Sequence, residues 1–444
     1  MNQLVKSVEC LVSSIADIKQ VIVAYSGGVD SHVLIHVCSV LQCKIPTVSF
    51  KSVYIDHDLH ENSESWRNHC QIVSTNLGIK FSTTKVDARD VRGDGPEQAA
   101  RHARYDALSE YVDSSTVLLT AQHQDDQAET LLLQLLRGAG VKGLSSMPRL
   151  NSFAGGFIAR PFLEFSKQDI LNYAKHVGLE WIDDPSNLDQ SLNRNFLRQQ
   201  VIPLIEQRWP SFAATTARTA AHCAEASSIL SNYASSYLLE TDIEVLAFTT
   251  LEILNDETQR AVLREWMIAN EVRLPSQKVL RQIQSFIALG SDGSALVEWG
   301  DHQVRSFGGK FMLLKKATLP TAYVVLPWID DERVLPEPLG CLSVHETMGH
   351  GIKKTCWEQS DITIRSRIGG EVISLLGRQG TKKLKKLLHE YKAFPWVRQL
   401  IPLVYAGETL VAIADIWVAK DYLATEGELG YEINWYHPDF RIKY

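Results

Sequence analysis

The fold of the first part of this chain is decided by the segment Val21-Ile22-Val23-Ala24-Tyr25-Ser26-Gly27-Gly28-Val29-Asp30-Ser31. An apolar run leads into Ser-Gly-Gly, and apolar residues then recur at helical spacing from Ser31 to Leu41. A buried strand, a glycine turn and a helix form the first unit of an alternating pattern. Backbone N–H groups at the start of such a helix attract anions, so we predict a phosphate site at residues 26–31.

Strand and helix signals continue to alternate as far as about Pro185. The strand candidates are Ser52–Ile55, Phe81–Val86 and Thr116–Thr120, and the helix candidates are Ser63–Leu77, Pro96–Val112 and Asp126–Leu136. Strict alternation predicts an α/β fold, with a doubly wound parallel sheet that has helices on both faces. Ligands of such sheets bind at the carboxyl ends of the strands.

The length of 444 residues exceeds what one hydrophobic core usually supports, so we expect several domains. Residues 1–210 are predicted to form the nucleotide-binding catalytic domain, and residues 211–319 a mostly helical middle domain. Prolines and acidic residues favour a linker at 320–358, followed by a small α+β domain at 359–444. The helical periods of the middle domain are Phe212–Glu240, Glu257–Asn270 and Gln277–Leu289, and short strand signals follow at Ala295–Trp299 and Phe311–Lys315.

Composition excludes several classes of protein and site. The chain has 45 Lys and Arg against 52 Asp and Glu, a formal net charge of −7, so any nucleic-acid contact must use a local basic patch. None of the 7 Cys falls in a C-x-x-C pair, which argues against a zinc ribbon, an iron–sulfur site or a disulfide framework. No stretch is apolar enough to cross a membrane. We therefore expect reduced thiols, a cytoplasmic location and no membrane partner.

The predicted phosphate loop combines glycines with hydroxyl and carboxylate side chains. Gly27 and Gly28 let the backbone approach a ligand, and Ser26 and Ser31 add hydroxyl donors. Asp30 repels phosphate, so it makes sense as a ligand of a bridging cation or a partner of a second substrate. No Gly-Lys-Ser/Thr follows, which excludes a Walker A loop. The alternative is an ordinary strand–turn–helix.

A second polar constellation, residues 120–130, follows the fourth predicted strand. Asp126 and Glu129 are three residues apart on the next helix, so both carboxylates face the same way. Such a pair beside a phosphate loop can hold a metal ion or a substrate ammonium, although acids that complement the helix dipole are the plainer alternative. The glycine-rich loop that follows carries Arg137 and Lys142, which suit a polyanion.

A basic segment near the end of the chain offers a surface for RNA. It contains Lys382, Lys383, Lys385 and Lys386 on a predicted short helix. Leu384, Leu387, Leu388 and Tyr391 form one apolar stripe on that helix. A solvated surface helix is the alternative, but this density of lysines favours contact with RNA.

These strings resemble known families. SGGVDS at 26–31 resembles the PP-loop of the ATP pyrophosphatases, which split ATP into AMP and pyrophosphate. Together with DDQAET (125–130), RGAGVKGLSSM (137–147), WIDDPSN (181–187), RNFLR (194–198) and KKLKKLLHEYKAFPWVR (382–398), it resembles the tRNA(Ile)-lysidine synthetases. The motifs occur in family order and span almost the whole chain.

That resemblance implies a tRNA-modifying ligase. ATP and Mg²⁺ would serve to adenylate the C2 oxygen of the wobble cytidine of a tRNA(Ile) with a CAU anticodon. The amine of free L-lysine would then displace AMP and form lysidine. The resemblance assigns nucleotide binding to Ser26, Gly27, Gly28, Val29, Asp30 and Ser31, with Asp30 near the metal.

The same resemblance assigns further roles by position. Those near the reacting groups are Asp30, Asp126, Glu129, Arg104 and Arg198, and those expected to bind RNA are Arg137, Lys142, Arg194, Lys382, Lys383, Lys385 and Lys386. Which of Arg194 and Arg198 acts at the reaction centre stays open. A carboxylate such as Glu129 could accept the proton that lysine must lose.

The chain departs from the family pattern at one position, and three alternative functions stay open. Many relatives have His where this chain has Gln122, and successive residues at a strand end point to opposite sides. His123, one residue later, is therefore expected to point away from the reaction centre, and whether it has a catalytic role stays open. Rivals are a PP-loop thiolase, which would need paired cysteines, an amide synthetase using ammonia, and a non-catalytic RNA-binding protein. Oligomeric state is open, a homodimer being one option.

Overall fold

The computed structural model describes residues 3–56, 63–87, 96–185, 189–238, 244–290, 295–316, 325–337 and 339–437. Of the predicted features, Ser186 and Asn187 of the WIDDPSN string lie outside the described residues. The same is true of residues 320–324 and 338 of the predicted linker. The chain divides into two compact units, Met1–Leu230 and Ser231–Tyr444.

The first unit alternates strands and helices over most of its length. Its elements are α1 (Gln3–Ser14), β1 (Gln20–Ala24), α2 (Val29–Gln42), β2 (Ser49–Asp56), α3 (Ser63–Asn76), β3 (Lys80–Lys85), α4 (Pro96–Ser109), β4 (Thr116–Leu119), α5 (Gln124–Leu136), α6 (Val141–Leu144), β5 (Leu150–Phe153), β6 (Gly156–Ala159), α7 (Lys167–His176), α8 (Asn193–Phe196), α9 (Ile202–Arg208) and α10 (Phe212–Ser235). A π-helical turn, Leu197–Val201, joins α8 to α9.

One sheet organises this unit in the order β3-β2-β1-β4-β6-β5. Strands β1 to β4 and β6 are parallel, which confirms the doubly wound α/β prediction. The sequence analysis does not predict β5 and β6, whose short antiparallel hairpin forms the edge of the sheet. Since β6 runs parallel to β4, the carboxyl end of β6 lies at the same edge of the sheet as the two polar constellations.

The phosphate loop is anchored on both sides by elements of the first unit's core. Val21, Ile22 and Val23 of β1 are fully buried, because helices cover both faces of a central parallel strand. Helix α2 buries Val33, Leu34 and Ile35 in succession, so it is covered on more than one side. The loop between β1 and α2 therefore connects two elements that are anchored in the core.

The second unit begins with a part that combines helices and strands, and strands predominate in the rest of the unit. Its elements after α10 are β7 (Val245–Ala247), α11 (Phe248–Glu252), α12 (Asp256–Ala269), α13 (Gln277–Ser285), β8 (Leu296–Trp299), β9 (His302–Phe307), β10 (Lys310–Lys315), β11 (Val325–Pro327), β12 (Glu332–Val334), β13 (Cys341–Met348), β14 (Ile352–Lys353), α14 (Lys354–Glu358), β15 (Ile362–Arg365), β16 (Val372–Ile373), β17 (Lys382–Lys383), α15 (Leu384–Glu390), β18 (Leu403–Ala406), β19 (Thr409–Ile413), β20 (Trp417–Val418) and β21 (Leu429–Tyr436).

The middle part combines its helices with a four-stranded antiparallel sheet, β7-β10-β9-β8. Trp266 and Leu263 of α12 pack with Phe311 of β10 in one buried cluster. Two of these four strands, β8 and β10, are predicted from the sequence. The other two, β7 and β9, are not, because β7 is only 3 residues long and β9 has only Val304 and Phe307 as apolar residues.

The predicted linker is wrong for the described part of 320–358. These residues form strands β11 to β14 and helix α14, and β13 pairs along its whole length with β21. Leu342 is fully buried and Val344 nearly so, in the same core cluster as the final part of the chain. The prolines near β13 favour a linker locally, but its pairing with β21 overrides that signal.

Among the described helices, none is long and apolar enough to cross a membrane.

Candidate active site

The loop between β1 and α2 has the geometry that an anion site needs. Gly28 is the N-cap of α2, and its extended backbone leaves the first N–H groups of the helix pointing into the turn. The Ser31 hydroxyl donates to the Gly28 carbonyl at 3.0 Å and accepts from the Ser26 N–H at 3.2 Å. These bonds fix the loop at both ends, while the Ser26 side chain stays exposed.

Gly27 is required by both conformation and space. Its φ of +85° lies in the left-handed region that L side chains rarely adopt. A Cβ at this position would lie 2.9 Å from Ile182 Cδ1 and 3.1 Å from Cys70 Sγ. The Gly27 carbonyl also accepts a 3.0 Å hydrogen bond from the Ile182 N–H. The WID string at residues 181–183 is thereby fastened to the phosphate loop.

His123 lies at the centre of the second constellation. It is the N-cap of α5 and is only 3% exposed. Its Nε2 is 3.8 Å from Asp30 Oδ1 and 3.4 Å from Asp126 Oδ2, and its Nδ1 is 3.3 Å from Asp125 Oδ2. Burial by itself lowers the pKa of His123, but the three carboxylates around it outweigh burial and raise the pKa above its ordinary value.

The expectation that His123 points away from the reaction centre is therefore wrong. Strand β4 ends at Leu119, so residues 122 and 123 no longer follow the two-sided alternation of a strand. The capping position turns the imidazole toward the phosphate loop instead. Thr120 Oγ1 and Gln122 Oε1, just before it, are buried without a hydrogen-bond partner among the described residues.

Glu129 is the most deeply buried acid of the site, and two arginines hold it. Its side chain is 1% exposed. Arg194 Nε lies 2.7 Å from Oε2, and Arg198 donates from Nε to Oε1 at 2.5 Å and from its NH2 to Oε2 at 2.9 Å. A buried carboxylate is stable only when it is paired and hydrogen-bonded in this way.

Asp126 joins the same group. It accepts from the NH2 of Arg198 at 3.0 Å and from the His123 backbone N–H at 3.0 Å. Burial would raise the pKa of Asp126, but the charges of His123 and the two arginines keep it below its ordinary value. We call Asp126, Glu129, Arg194 and Arg198 the carboxylate–arginine cluster.

A lysine from a third segment reaches the phosphate loop. Lys167 Nζ lies 2.6 and 2.7 Å from the two carboxylate oxygens of Asp30. The Lys167 backbone N–H donates to Asp125 Oδ2 at 2.9 Å. The carboxyl ends of β1, β4 and β6 thus bring three distant segments together at one edge of the sheet.

Comparison with known proteins agrees with this arrangement. A family model described as a PP-loop domain matches residues 1–205, a "TilS substrate binding domain" matches 246–311 and a "TilS substrate C-terminal domain" matches 362–435. The tRNA(Ile)-lysidine synthase of Coxiella burnetii is 38% identical over 93% of this chain and 92% of its own length. That of Methylococcus capsulatus is 34% identical over 93% of this chain and 95% of its own length. The chain belongs to the tRNA(Ile)-lysidine synthase family.

A solved structure described as a U34-tRNA thiolase, NcsA from Methanococcus maripaludis, overlaps 50% of this chain and 79% of its own. Its sequence identity is 15% and its TM-score is 0.43.

In this member of the tRNA(Ile)-lysidine synthase family, the residues expected near the reacting groups occupy two places. Asp30, Asp126, Glu129 and Arg198 are linked by the contacts given above, and Arg194, expected to bind RNA, joins them. Arg104 lies on α4, exposed, within electrostatic range of Asp184 of the WIDD string and of Tyr54. Both Arg194 and Arg198, between which the sequence left the choice open, contact Glu129.

Apart from Arg194, which is partly buried in the cluster, the residues expected to bind tRNA are exposed in both units. Arg137 is the C-cap of α5, and Lys142 lies on the short helix α6. The lysines at 382, 383, 385 and 386 are all exposed, whereas Leu384, Leu387 and Leu388 are buried, as the stripe predicts. One detail is wrong: Lys382 and Lys383 precede the helix and form β17, which pairs with β16. Lys383 has an extended backbone, so α15 begins only at Leu384.

The site contains acids but no preformed metal cage. Among the described residues, no three His, Cys, Asp or Glu side chains are placed to hold an ion. Mg²⁺ commonly takes one or two carboxylates and completes its coordination with water and substrate phosphates. Asp30, which is 30% exposed at the loop, fits that mode. Glu129 does not, because both of its oxygens are engaged by arginine.

The residue that sequence reasoning missed altogether is Lys167. It follows Ser166, the N-cap of α7, in a capping-box pattern, which marks a helix start but gives no hint of a ligand. Its partner Asp30 is 137 residues away in sequence. Only a prediction of β6 would have placed it at the carboxyl edge of the sheet.

Proposed function

We propose that this chain ligates free L-lysine to C2 of the wobble cytidine of a tRNA(Ile) with a CAU anticodon, through an adenylated base. The chain is a member of a ligase family whose curated relatives are named for tRNA(Ile)-lysidine synthesis. The observation that carries the proposal is the junction of the phosphate loop with the carboxylate–arginine cluster. His123 links the two, since it lies between Asp30 and Asp126.

Use of ATP follows from the PP-loop family model, and we assign it to residues 26–31. The N–H groups at the start of α2 and the hydroxyls of Ser26 and Ser31 are donors suited to phosphate oxygens. Mg²⁺ would enter as part of the nucleotide substrate, with Asp30 as a protein ligand. When bound, it neutralises charge on the phosphates that depart as pyrophosphate.

The two arginines of the cluster are placed to stabilise charge during both steps. Adenylation turns the C2 oxygen into part of a leaving group, since AMP is expelled far more readily than oxide. Negative charge builds on phosphate oxygens in each step, and fixed guanidinium groups offset it without reorganisation. Glu129 and Asp126 hold Arg194 and Arg198 in orientation for this role.

The geometry argues for a changed role of Glu129. Its two carboxylate oxygens already accept three hydrogen bonds from the guanidinium groups of Arg194 and Arg198. Neither oxygen therefore faces an incoming lysine ammonium without a partner. We therefore propose that Glu129 anchors the arginines instead of acting as the general base.

For tRNA we propose two regions of contact. Arg137 caps the C-terminal end of α5 and Lys142 lies on α6 in the first unit, and the lysines at 382, 383, 385 and 386 lie in the second. The wobble base is single-stranded, so its extrusion into a pocket costs little. We propose 1–210 and 211–319 as working domains and assign the described part of 320–358 to the same domain as 359–444, because β13 pairs with β21.

A thiolase is the less favoured alternative. The curated relatives cited above are named tRNA(Ile)-lysidine synthase, and the seven cysteines are free thiols. The decisive experiment incubates the purified chain with ATP, radiolabelled lysine and total tRNA, and maps the label by nuclease digestion. Label at the wobble cytidine of one tRNA(Ile), with pyrophosphate released only when tRNA is present, supports the proposal. Label elsewhere, or pyrophosphate release without tRNA, contradicts it.

A further inference from the structure

Helix α7 begins at the phosphate loop, and its first residue contacts two acids from other segments. The ammonium of Lys167 binds both oxygens of Asp30, and its backbone N–H binds Asp125. The salt bridge is only partly shielded, with side-chain exposures of 37% for Lys167 and 30% for Asp30. The contact therefore lies where an incoming ligand could reach it.

The start of α7 is fixed independently of this side chain. Ser166 Oγ accepts from the Asp169 N–H at 3.1 Å, and the Asp169 carboxylate accepts from the Ser166 N–H at 2.9 Å. This reciprocal cap satisfies two backbone donors of the first turn. Since Asp125 also holds the Lys167 N–H, the backbone stays in place whichever partner the ammonium binds.

A purely structural role explains this salt bridge poorly. Ion pairs with this much exposure contribute little to stability. A lysine ammonium is a compact charge on a flexible stem, with three donors that can turn from one oxygen group to another. A lysine ammonium can therefore leave a carboxylate and bind a phosphate in its place.

The loop itself creates a need for such an exchange. An ATP diphosphate bound at residues 26–31 brings several negative charges beside Asp30, and Asp30 is also the proposed Mg²⁺ ligand. The two arginines of the carboxylate–arginine cluster are engaged with Glu129 and Asp126. Lys167 is the lysine that, among the described residues, forms a salt bridge with the loop.

We propose that Lys167 binds the β,γ-diphosphate of ATP and the pyrophosphate product, and that it gives up Asp30 when it does so. Phosphate oxygens take the place of the carboxylate on the ammonium, and Asp30 becomes available to the metal ion of the nucleotide. The proposal rests on the proposed use of ATP at residues 26–31, but it does not depend on which tRNA or amino acid reacts.

The test compares two ligands that differ in whether they contain a diphosphate. Binding of inorganic pyrophosphate and of AMP to the full chain is measured by isothermal titration calorimetry with Mg²⁺ present. The variants are Lys167→Met, Lys167→Arg and the control Lys175→Met, whose lysine is exposed in the last turn of the same helix. Thermal unfolding verifies that each variant folds.

Lys167→Met should weaken pyrophosphate binding about 10- to 100-fold, because a hydrogen-bonded charge pair is lost. The affinity of Lys167→Met for AMP should change less than about twofold. Lys167→Arg should retain most of the parent's affinity for pyrophosphate, because it keeps a hydrogen-bonding cation. Lys175→Met should bind both ligands as the parent does. Equal losses for both ligands, or no loss for pyrophosphate, would overturn the proposal and leave Lys167 as a partner of Asp30 only. Lysidine formation plays no part in these measurements, so failure of the proposed tRNA reaction would be seen separately.

Discussion

The carboxylate–arginine cluster and the basic segment at residues 382–386 carry charge in opposite ways. In the cluster, opposite charges are buried against one another, and Glu129 is 1% exposed between Arg194 and Arg198. In the basic segment the leucines are buried and all four lysines face solvent. Buried pairs depend on geometry and are little screened by salt, whereas exposed cations act through screened, long-range attraction. The first arrangement suits chemistry at fixed atoms, and the second suits capture of a large polyanion.

The largest effect is expected when a buried partner is removed from the cluster. Glu129→Gln should lower the free energy of unfolding by about 3 to 5 kcal/mol, because two guanidinium groups lose their counter-charge in a buried site. Urea denaturation of the purified chain measures this. Glu164→Gln is the matched control, since Glu164 forms an exposed pair with Arg149. A similar, small loss in both variants would show that the buried cluster is no more sensitive than a surface pair.

Asp30→Asn tests the phosphate-loop side of the same region. It should reduce tRNA-dependent pyrophosphate release by about 10²- to 10³-fold, as loss of a charge-stabilising group at a reaction centre commonly does. Affinity for tRNA, measured by filter binding, should stay within about twofold, because the exposed cations are untouched. Asp17→Asn is the control: Asp17 is exposed at positive φ, which Asn tolerates. Normal turnover by Asp30→Asn would refute the role assigned to that carboxylate.

Neutralising the basic segment, unlike Asp30→Asn, should change the affinity for tRNA. Changing Lys382, Lys383, Lys385 and Lys386 to Gln should weaken tRNA binding about 10- to 100-fold at low salt. It should also flatten the slope of log affinity against log salt by up to about 3 to 4. A matched variant changes four exposed lysines of the first unit to Gln: Lys6, Lys44, Lys80 and Lys175. An unchanged slope in the basic-segment variant, or an equal change in the matched variant, would contradict the assignment.

The smallest expected effect is on the pH dependence of stability, and it involves a histidine of the first unit. Burial, with the nearby charges of His69 and His36, lowers the pKa of His32 from 6.5 to about 4. Its Nδ1 is 3.3 Å from the Tyr25 hydroxyl, and its ring is 5.9 Å from that of His69. The unfolded chain therefore binds more protons than the folded one between these two pKa values. The stabilising contribution is complete above pH 6.5 and is lost as the pH falls toward 4, by up to about 1.4 kcal/mol per pH unit.

Urea unfolding at pH 7.5 and 5.5 tests this sign. The parent should lose about 1 kcal/mol more than His32→Gln between the two values. His176→Gln, which alters an exposed histidine on α7, should keep the parent's dependence. If His32→Gln and the parent respond alike, His32 is not the group that titrates.

Local sequence signals were sufficient where neighbours along the chain decide the outcome. The apolar run, glycines and helix start at residues 21–31 produced the strand, turn and helix that were predicted, since each depends on residues within one or two turns. The leucine stripe of α15 was predicted for the same reason, although the helix begins two residues later than the lysines suggested. Prolines misled the prediction at 320–358, where pairing with β21 overrides local turn signals.

By itself the sequence determined the phosphate loop, the parallel sheet and the identity of the acids, because hydrophobic period and turn chemistry are local properties. Only the tertiary structure decided which cation meets which acid. Arg198 contacts a glutamate 69 residues away, and Lys167 an aspartate 137 residues away. Such pairs are set by the order of strands in the sheet, and the unpredicted strand β6 is what carries the chain back to the reaction edge before α7. The capping position that turns His123 inward is likewise a product of where β4 ends and α5 begins, which strand alternation alone does not reveal.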